Sequence, residues 1–510
     1  MGIISMEMKI GPQKNVSLWE ATSPMNLSFN SFSGHEKADV VVIGGGISGI
    51  TTAMLLSEAG KKVILLEARR IGMGTTGNST GNLYAVVDEH LSVIKKRWNG
   101  DVMKALVQSR TSAIELIESV VKKYAIQCEF ARHPFSYFAE RLNAESEKFI
   151  HDEYESLLEA GLQPLIVNEL SLPFKIEKGL SAPNQAQFNP LKYVSGIAKN
   201  ISQFCYIYEN SPVIDINTKD GIVKTIAGQV KAEHIVMATH TPKGFSMVQT
   251  RMLPVREFGV AAELQKDVVP AGMFWSLGEE QKHSVRSYKA NGKNYVLSIS
   301  EKFKTGQNNH TLGTLQKLEG YLTNHFPIGE ITHRWGAQAY RSADGIPYIG
   351  KYKNKLFIMT GFALDGLVYG TLGAMIISDL LCSKENQWSP IYNPHRFTPL
   401  KSAKRFFIER TNNFAQYMKD FPGIADTESI DSVPSGEGRI IEKDGEKLAV
   451  FRAENDEVKI VSAVCTHMKC IVRWNSAEQS WDCPCHASRF DTDGKVIEGP
   501  ALHNLATKII

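Results

Sequence analysis

Apolar positions along the chain fall into three patterns. Residues 40–44 are an uninterrupted β-branched run without charge, as expected of a strand buried on both faces. After a glycine turn, residues 47–60 place Ala53, Leu55, Leu56 and Ala59 for helical packing, and residues 62–66 form a second buried strand ending on Glu67. Helical periodicity returns in residues 100–160, through Leu106, Ala113, Leu116, Ile117, Val120 and Val121. Shorter β-like runs follow at 135–138, 185–188 and 205–208, and residues 230–239 predict a strand that rejoins the first sheet. Residues 258–331 suggest strands plus one helix near 312–326, and the apolar stretch 366–381 predicts a buried helix. Residues 436–472 alternate like short antiparallel strands.

The first strand, helix and second strand enclose Gly44, Gly46 and Gly49 in G-x-G-x-x-G spacing, with an acid, Glu67, about twenty residues on. In such a unit Gly44 permits the tight turn, Gly46 lets backbone approach a pyrophosphate, and Gly49 brings the helix close to the strand. The amides opening the helix at Ile47 and Ser48 face the phosphates, and Glu67 accepts the ribose hydroxyls. The stretch 69–81 is rich in small residues. Because it follows the acidic strand end directly, it reads as a loop wrapping a long cofactor.

At 510 residues the chain predicts two to four domains, and a net charge of +3 points neither to nucleic acid nor to an acidic membrane surface. No run approaches a membrane span, and residues 1–12 lack a signal-peptide pattern, so a cytoplasmic location is expected. Of seven cysteines, Cys128, Cys205 and Cys382 are scattered, whereas Cys465, Cys470, Cys483 and Cys485 lie close together, which points to metal.

Residues 16–398 resemble the D-amino-acid-oxidase-like FAD oxidoreductases, the family of glycine oxidase and sarcosine oxidase. The resemblance is carried by Gly44, Gly46, Gly49, Glu67, the run 75–79, Asn189-Pro190, Ala238-Thr239, Trp335, the run 344–350, Gly361-Phe362 and Gly366. It implies FAD, with the pyrophosphate on residues 44–49 and the adenosine end at Glu67, Ala68 and Arg69. Thr75, Thr76, Asn78 and Ser79 would lie along the chain to the isoalloxazine ring. Amides between Gly361 and Gly366 would face the flavin carbonyl, where a helix N-terminus favours the negative charge of the reduced ring. The covalent-attachment cysteine of the sarcosine-oxidase branch aligns with Ala337, so covalent flavin is not expected. Asp365 departs from the family's small or aromatic residues and is expected to be a solvated loop aspartate. Arg256, Arg286 and Arg341 are equivalent candidates for a substrate carboxylate, and no catalytic residue is named.

Cys465-x-His467 and Cys483-x-x-His486 pair one thiolate with one imidazole in each half. Zinc accepts two of each, but its sites usually keep cysteines with cysteines. Mixed halves suit a cluster whose one iron takes two sulfurs and the other two nitrogens. The segment 428–510 resembles a Rieske [2Fe-2S] domain, with Cys470 and Cys485 where the respiratory type has its disulfide and residues 499–501 matching its proline loop. Ser488 stands at a hydroxyl donor to a bridging sulfide. Lys469 and Ala487 replace loop glycines, and Phe490 replaces a tyrosine that donates to a ligand sulfur, which lowers the expected potential.

The resemblances imply an α/β protein: a Rossmann-like FAD-binding domain (about 36–105, 180–255 and 330–398), a discontinuous α+β substrate domain (106–179 and 256–329) and a small all-β Rieske domain (428–510). Residues 1–35 are expected as an extended lead-in and 399–427 as a linker helix. The function expected by analogy is oxidation of a C–N bond of an amine or amino acid, with electrons relayed between flavin and cluster to an external one-electron partner. A cluster-fed flavin reductase or a non-enzymatic redox sensor is the alternative. A Rieske oxygenase would need a mononuclear iron, for which His325, Glu330 and His333 are a weak fit, and the second G-x-G-x-x-G of an NAD(P)H-dependent reductase is absent.

Overall fold

The computed structural model describes residues 16–23, 27–244, 246–266, 269–277, 283–396, 398, 401 and 429–508. The expected linker helix lies almost wholly outside them.

The glycine-turn unit sits at the centre of an eight-stranded sheet. Gly34–Ile43 pairs in parallel with Val63–Leu66 on one side and Gly228–Met237 on the other. Tyr206–Tyr208 extends the first side, and Leu356–Thr360 followed by antiparallel Tyr348–Lys353 extends the second. Helix Ile47–Glu58 is buried along nearly its whole length because helix Gly366–Leu381 packs against it. That contact is close: a Cβ on Gly370 would lie 2.4 Å from Ser48 Oγ.

A second, ten-stranded sheet covers the cofactor side. Its longest ladder joins Met252–Leu264 antiparallel to Ile328–Ser342. The span 100–160, read as helical, divides into helix Gly100–Lys123, strand Ala131–Ala139 and helix Ala144–Glu159; the first helix ends at Tyr124, and Ala125 turns the chain at φ 49°. Within the expected extended lead-in, Leu18–Thr22 forms a helical turn that buries Trp19 completely.

The C-terminal part stacks a three-stranded sheet (Gly438–Lys443, Glu446–Arg452, Val458–Ser462) on a four-stranded one (Arg473–Asn475, Ser480–Asp482, Arg489–Phe490, Val496–Glu498). Their shared core holds Ile440, Val461, Val472, Trp481 and Phe490 together with all four clustered cysteines. No described helix is long and apolar enough to cross a membrane.

Candidate active site and metal centre

One cavity of about 1180 Å³ runs from the glycine turn to the second sheet. At the turn, Gly44 has φ 105°, and a Cβ there would lie 2.5 Å from the Ala238 carbonyl oxygen. A Cβ on Gly49 would lie 1.8 Å from the Gly44 oxygen, so only glycine fits. Helix Ile47–Glu58 opens on Gly46, which has no side chain to cap it, and Gly46, Ile47 and Ser48 line the cavity. The Ile47 amide donates to Thr76 Oγ1 at 3.0 Å, tying the helix start to the small-residue loop. Two indoles pin that loop: Trp19 Nε1 donates to the Ser79 carbonyl at 2.6 Å and Trp335 Nε1 to that of Asn78 at 3.0 Å.

Glu67 accepts from the Gly45 amide at 2.7 Å and the Arg69 amide at 2.9 Å, which fixes its carboxylate at the cavity wall with lone pairs to spare. Gly44, Gly46, Ile47, Ser48, Glu67, Ala68, Arg69, Thr75, Thr76, Ser79 and Gly366 all line the cavity. Gly49, Asn78 and Gly361 stand outside its wall; Gly49 serves the helix–strand approach, and the Asn78 amide donates to the Gly74 carbonyl at 3.3 Å. A glycine cradle, a helix start at the cavity wall and a carboxylate fixed by two backbone amides fit a dinucleotide.

The far end of the cavity is walled by Tyr84, Tyr137, Phe149 and Trp275. Asp365 lies here, and it is not solvated: it is 5% exposed and pairs with the buried Arg110 at 3.2 Å. Arg110 also donates to the carbonyls of Tyr84, Ala85 and Val86, and it stacks on Tyr369. The expectation of a solvated loop aspartate failed because the partner comes from helix Gly100–Lys123, far away in the chain. Burial pushes the Asp365 carboxyl up to about 6 even against Arg110. Asp88 pairs with Lys302 at 2.9 Å, and Glu257 lines the same chamber, its carboxyl pushed up to about 8 by burial.

In the C-terminal part, two loops converge. The Cys465 amide donates to the Cys470 carbonyl at 2.9 Å, and the Cys483 amide to that of Ser488 at 2.8 Å. Cys470 and Cys485 are joined by a disulfide, and the Cys483 sulfur lies within 4.8 Å of both its sulfurs. Cys465 and Cys483 are neighbours, and the His467 and His486 rings stand 5.1 Å apart. His467 Nε2 and His486 Nδ1 are buried without a hydrogen-bond partner. No three donors from Cys465, His467, Cys483 and His486 lie within 4.8 Å of one another, which is too spread for one tetrahedral ion and suits a two-iron cluster. His325, Glu330 and His333 are likewise not gathered as ligands, and His325 pairs with Glu140 instead.

The two sites share a wall. Along Met252–Leu264, side chains alternate between the faces of the ladder. Arg256 points to the C-terminal part, where it ion-pairs with Glu478 and stands 3.7 Å from Glu498. On the paired strand, the Gln338 amide donates to the Ala487 carbonyl at 3.0 Å, and the Tyr340 hydroxyl to that of Gly499 at 3.2 Å. Glu257 and its cross-strand neighbour Ala337 take the opposite face, and the cavity wraps the ladder so that Glu257, Ala337, Gln338 and Tyr340 all line it. Residues 495–499 and 501–504 of the C-terminal part close another side of the same cavity. Sequence reasoning missed Glu257, Gln338 and Tyr340; the one signal was a charged pair, Arg256-Glu257, inside an otherwise apolar strand.

These features define a flavoprotein oxidoreductase with an iron–sulfur domain docked on its cofactor site. The FAD-dependent oxidoreductase family model matches residues 39–380 and the Rieske [2Fe-2S] domain model residues 425–508. The chain belongs to the FAD-dependent oxidoreductase family and carries a C-terminal Rieske domain; it binds FAD and a [2Fe-2S] cluster. It is 29% identical over 495 residues to the Rieske 2Fe-2S iron-sulfur protein YhfW of Bacillus subtilis, covering 96% of each chain. It is 24% identical over 410 residues to gamma-glutamylputrescine oxidoreductase of Escherichia coli, covering 74% of this chain and 92% of the relative. Glycine oxidase from Geobacillus kaustophilus shares the fold, with a TM-score of 0.58 at 18% identity over 71% of this chain and all of the other.

Proposed function

We propose that this protein oxidises a C–N bond of an amine or amino acid and relays the electrons between its flavin and its cluster to an external one-electron partner. FAD supplies two-electron chemistry and the [2Fe-2S] cluster supplies one-electron chemistry. The dinucleotide would be held by Gly44, Gly46, Ile47, Ser48, Glu67, Thr75 and Thr76, with Gly366 opening the helix at the other end. The cluster would be held by Cys465, His467, Cys483 and His486, with the Cys470–Cys485 disulfide bracing the two loops.

The observation that carries this reading is the shared wall. Arg256, Gln338 and Tyr340 hold the Rieske domain to a two-strand ladder, and Gln338 and Tyr340, with Glu257 and Ala337 of the same ladder, also line the cavity. His467 lies against the backbone of Gly244, whose amide donates to the Pro500 carbonyl at 3.1 Å, so the histidine side of the cluster loops faces the flavoprotein. His240 bridges part of the gap: its Nδ1 meets Thr75 Oγ1 at 3.3 Å, and its ring packs edge-on against Tyr340 at 4.9 Å. Such contact supports a reading in which both redox sites work as one unit rather than as independent domains. The gamma-glutamylputrescine oxidoreductase relative favours an amine.

Anaerobic titration of the purified protein with a panel of amines and amino acids tests the reading, following flavin absorbance and the cluster's EPR signal together. The expected result is flavin bleaching followed by appearance of the reduced-cluster signal. Flavin reduction with a cluster that stays oxidised, or no reduction by any member of the panel, overturns it.

A further inference from the structure

The charges around the chamber select among substrates. The three arginines able to hold a substrate carboxylate are all committed elsewhere. Arg256 faces Glu478 and Glu498 on the other side of the ladder. Arg286 donates to the Thr80 carbonyl at 2.8 Å and stacks on Trp19. Arg341 is tied to Glu89, with Asp88 at 3.9 Å. None of the three lines the cavity. Arg110 is locked onto three carbonyls and Asp365, and Lys302 is held by both oxygens of Asp88. Among the described residues the aromatic end of the cavity therefore offers a carboxylate no uncommitted cation.

It does offer an uncommitted acid. Glu257 lines the cavity beside Ala337 and makes no hydrogen bond or ion pair with a described residue. The charged groups acting on it are Lys302 and Asp88, then Arg256 and Asp365. Tyr84, Tyr137, Phe149 and Trp275 supply flat apolar walls for an alkyl chain, and aromatic faces attract a cation.

Resting on the function proposed above, we infer that the substrate is an alkylammonium ion without an α-carboxylate, and that Glu257 seats its nitrogen and takes its proton. In that step one N–H bond breaks and one O–H bond forms on the Glu257 carboxylate; no electrons are transferred, and the amine lone pair is freed. Only a neutral amine can give up hydride, so the proton must leave first. With the carboxyl raised to about 8 by burial, its ionised form, which prevails above that pH and is favoured by an ammonium seated against it, is a far better proton acceptor than an ordinary glutamate.

The test uses the full-length holoprotein and two probes with the same carbon chain, n-butylamine and its carboxylated counterpart norvaline. Binding is read as a perturbation of the flavin spectrum, and the substrate-free protein is titrated with pH by the same signal. Butylamine is expected to bind and norvaline to bind at least about tenfold more weakly. The substrate-free spectrum is expected to shift with an apparent pKa near 8. Glu257→Gln should abolish that shift and weaken butylamine at least about tenfold, and Glu257→Asp should keep a shift, with flavin content confirming that both variants are folded. Tighter binding of norvaline, binding of neither probe, or a Glu257→Gln titration identical to wild type overturns the inference. If the panel of amines reduces the flavin and Glu257→Gln changes nothing, this inference fails alone. If the pH shift and butylamine binding hold and nothing is oxidised, the proposed function fails and the cation site stands.

Discussion

Arg256 and Glu478 form a two-pronged ion pair across the boundary between the flavoprotein and the Rieske domain, with side chains 1% and 10% exposed. Arg489, 3.1 Å from Glu478, extends the pair inside the Rieske domain, where it also holds Asp482 and Glu498. A buried lattice of this kind fixes geometry more surely than it adds stability, because desolvation offsets much of the attraction.

Breaking it from one side should be costly. Glu478→Gln leaves Arg256 buried with only Glu498 at 3.7 Å, and a loss of about 3–5 kcal/mol is expected. Replacing Arg256 and Glu478 together with methionine should recover much of that loss, since no charge is then stranded. Denaturant unfolding of the holoproteins checks both, and the double variant should also slow the appearance of reduced cluster after flavin photoreduction.

The same pair sets an acid limit. Burial alone would raise the Glu478 carboxyl, but Arg256 and Arg489 overcome it and hold it at about 2. Because the folded value lies below that of a free glutamate, about 4.3, the stabilisation is complete above that pH and is lost as pH falls toward 2. Wild type should therefore lose stability between about pH 4 and 2 more steeply than the dimethionine variant, as read by thermal melts across that range.

Gly49→Ala should yield a protein without flavin. Its Cβ would meet the Gly44 oxygen at 1.8 Å, forcing helix and strand apart where the dinucleotide turn must be tightest. FAD released on denaturation, measured against protein, should fall to near zero while the EPR signal of the cluster persists. Retention of flavin at wild-type stoichiometry would show that the turn tolerates the shift.

Lys469 and Ala487 hold left-handed backbone, at φ 62° and 60°, in the two cluster loops. Left-handed conformation costs a side-chain-bearing residue about 1–2 kcal/mol, and glycine avoids it. Allowing for glycine's greater freedom when unfolded, Lys469→Gly and Ala487→Gly should each stabilise the holoprotein by about 0.5–1 kcal/mol. Thermal melts followed through cluster absorbance measure this directly.

What was legible in the sequence was local. The glycine turn, its two strands and Glu67 span thirty-odd residues, and the cluster loops span about twenty, so spacing alone carried the chemistry. Strand Gly228–Met237 was readable as rejoining the first sheet because a parallel central strand is apolar throughout. The pairings that join the two halves were not legible. Arg256 meets Glu478 across 222 positions, and Asp365 is buried by an arginine on a distant helix. Nor does an Arg-Glu step in a strand say which face meets a second domain; the ladder register sets Arg256 and Glu257 on opposite faces, Arg256 toward Glu478 and Glu257 toward the cavity.

Phe490 should keep the cluster's potential below that of the respiratory type. Its ring is fully buried among the cluster loops and carries no hydroxyl, whereas the respiratory type has a tyrosine there that donates to a ligand sulfur. Reduction adds negative charge to the sulfurs, so each lost donor disfavours the reduced state. Ser488 remains: its hydroxyl lies at Cys465 while its oxygen accepts from the Ala501 amide at 3.0 Å. Lys469 works in the opposite direction, but it is exposed and its field is screened by salt. Phe490→Tyr should therefore raise the midpoint potential, and Lys469→Gln should lower it by a smaller amount that shrinks as ionic strength rises. Redox titration monitored by EPR measures both. A wild-type potential equal to the respiratory value, or an unchanged one in Phe490→Tyr, would mean that hydrogen bonding at this position does not set the cluster's affinity for its electron.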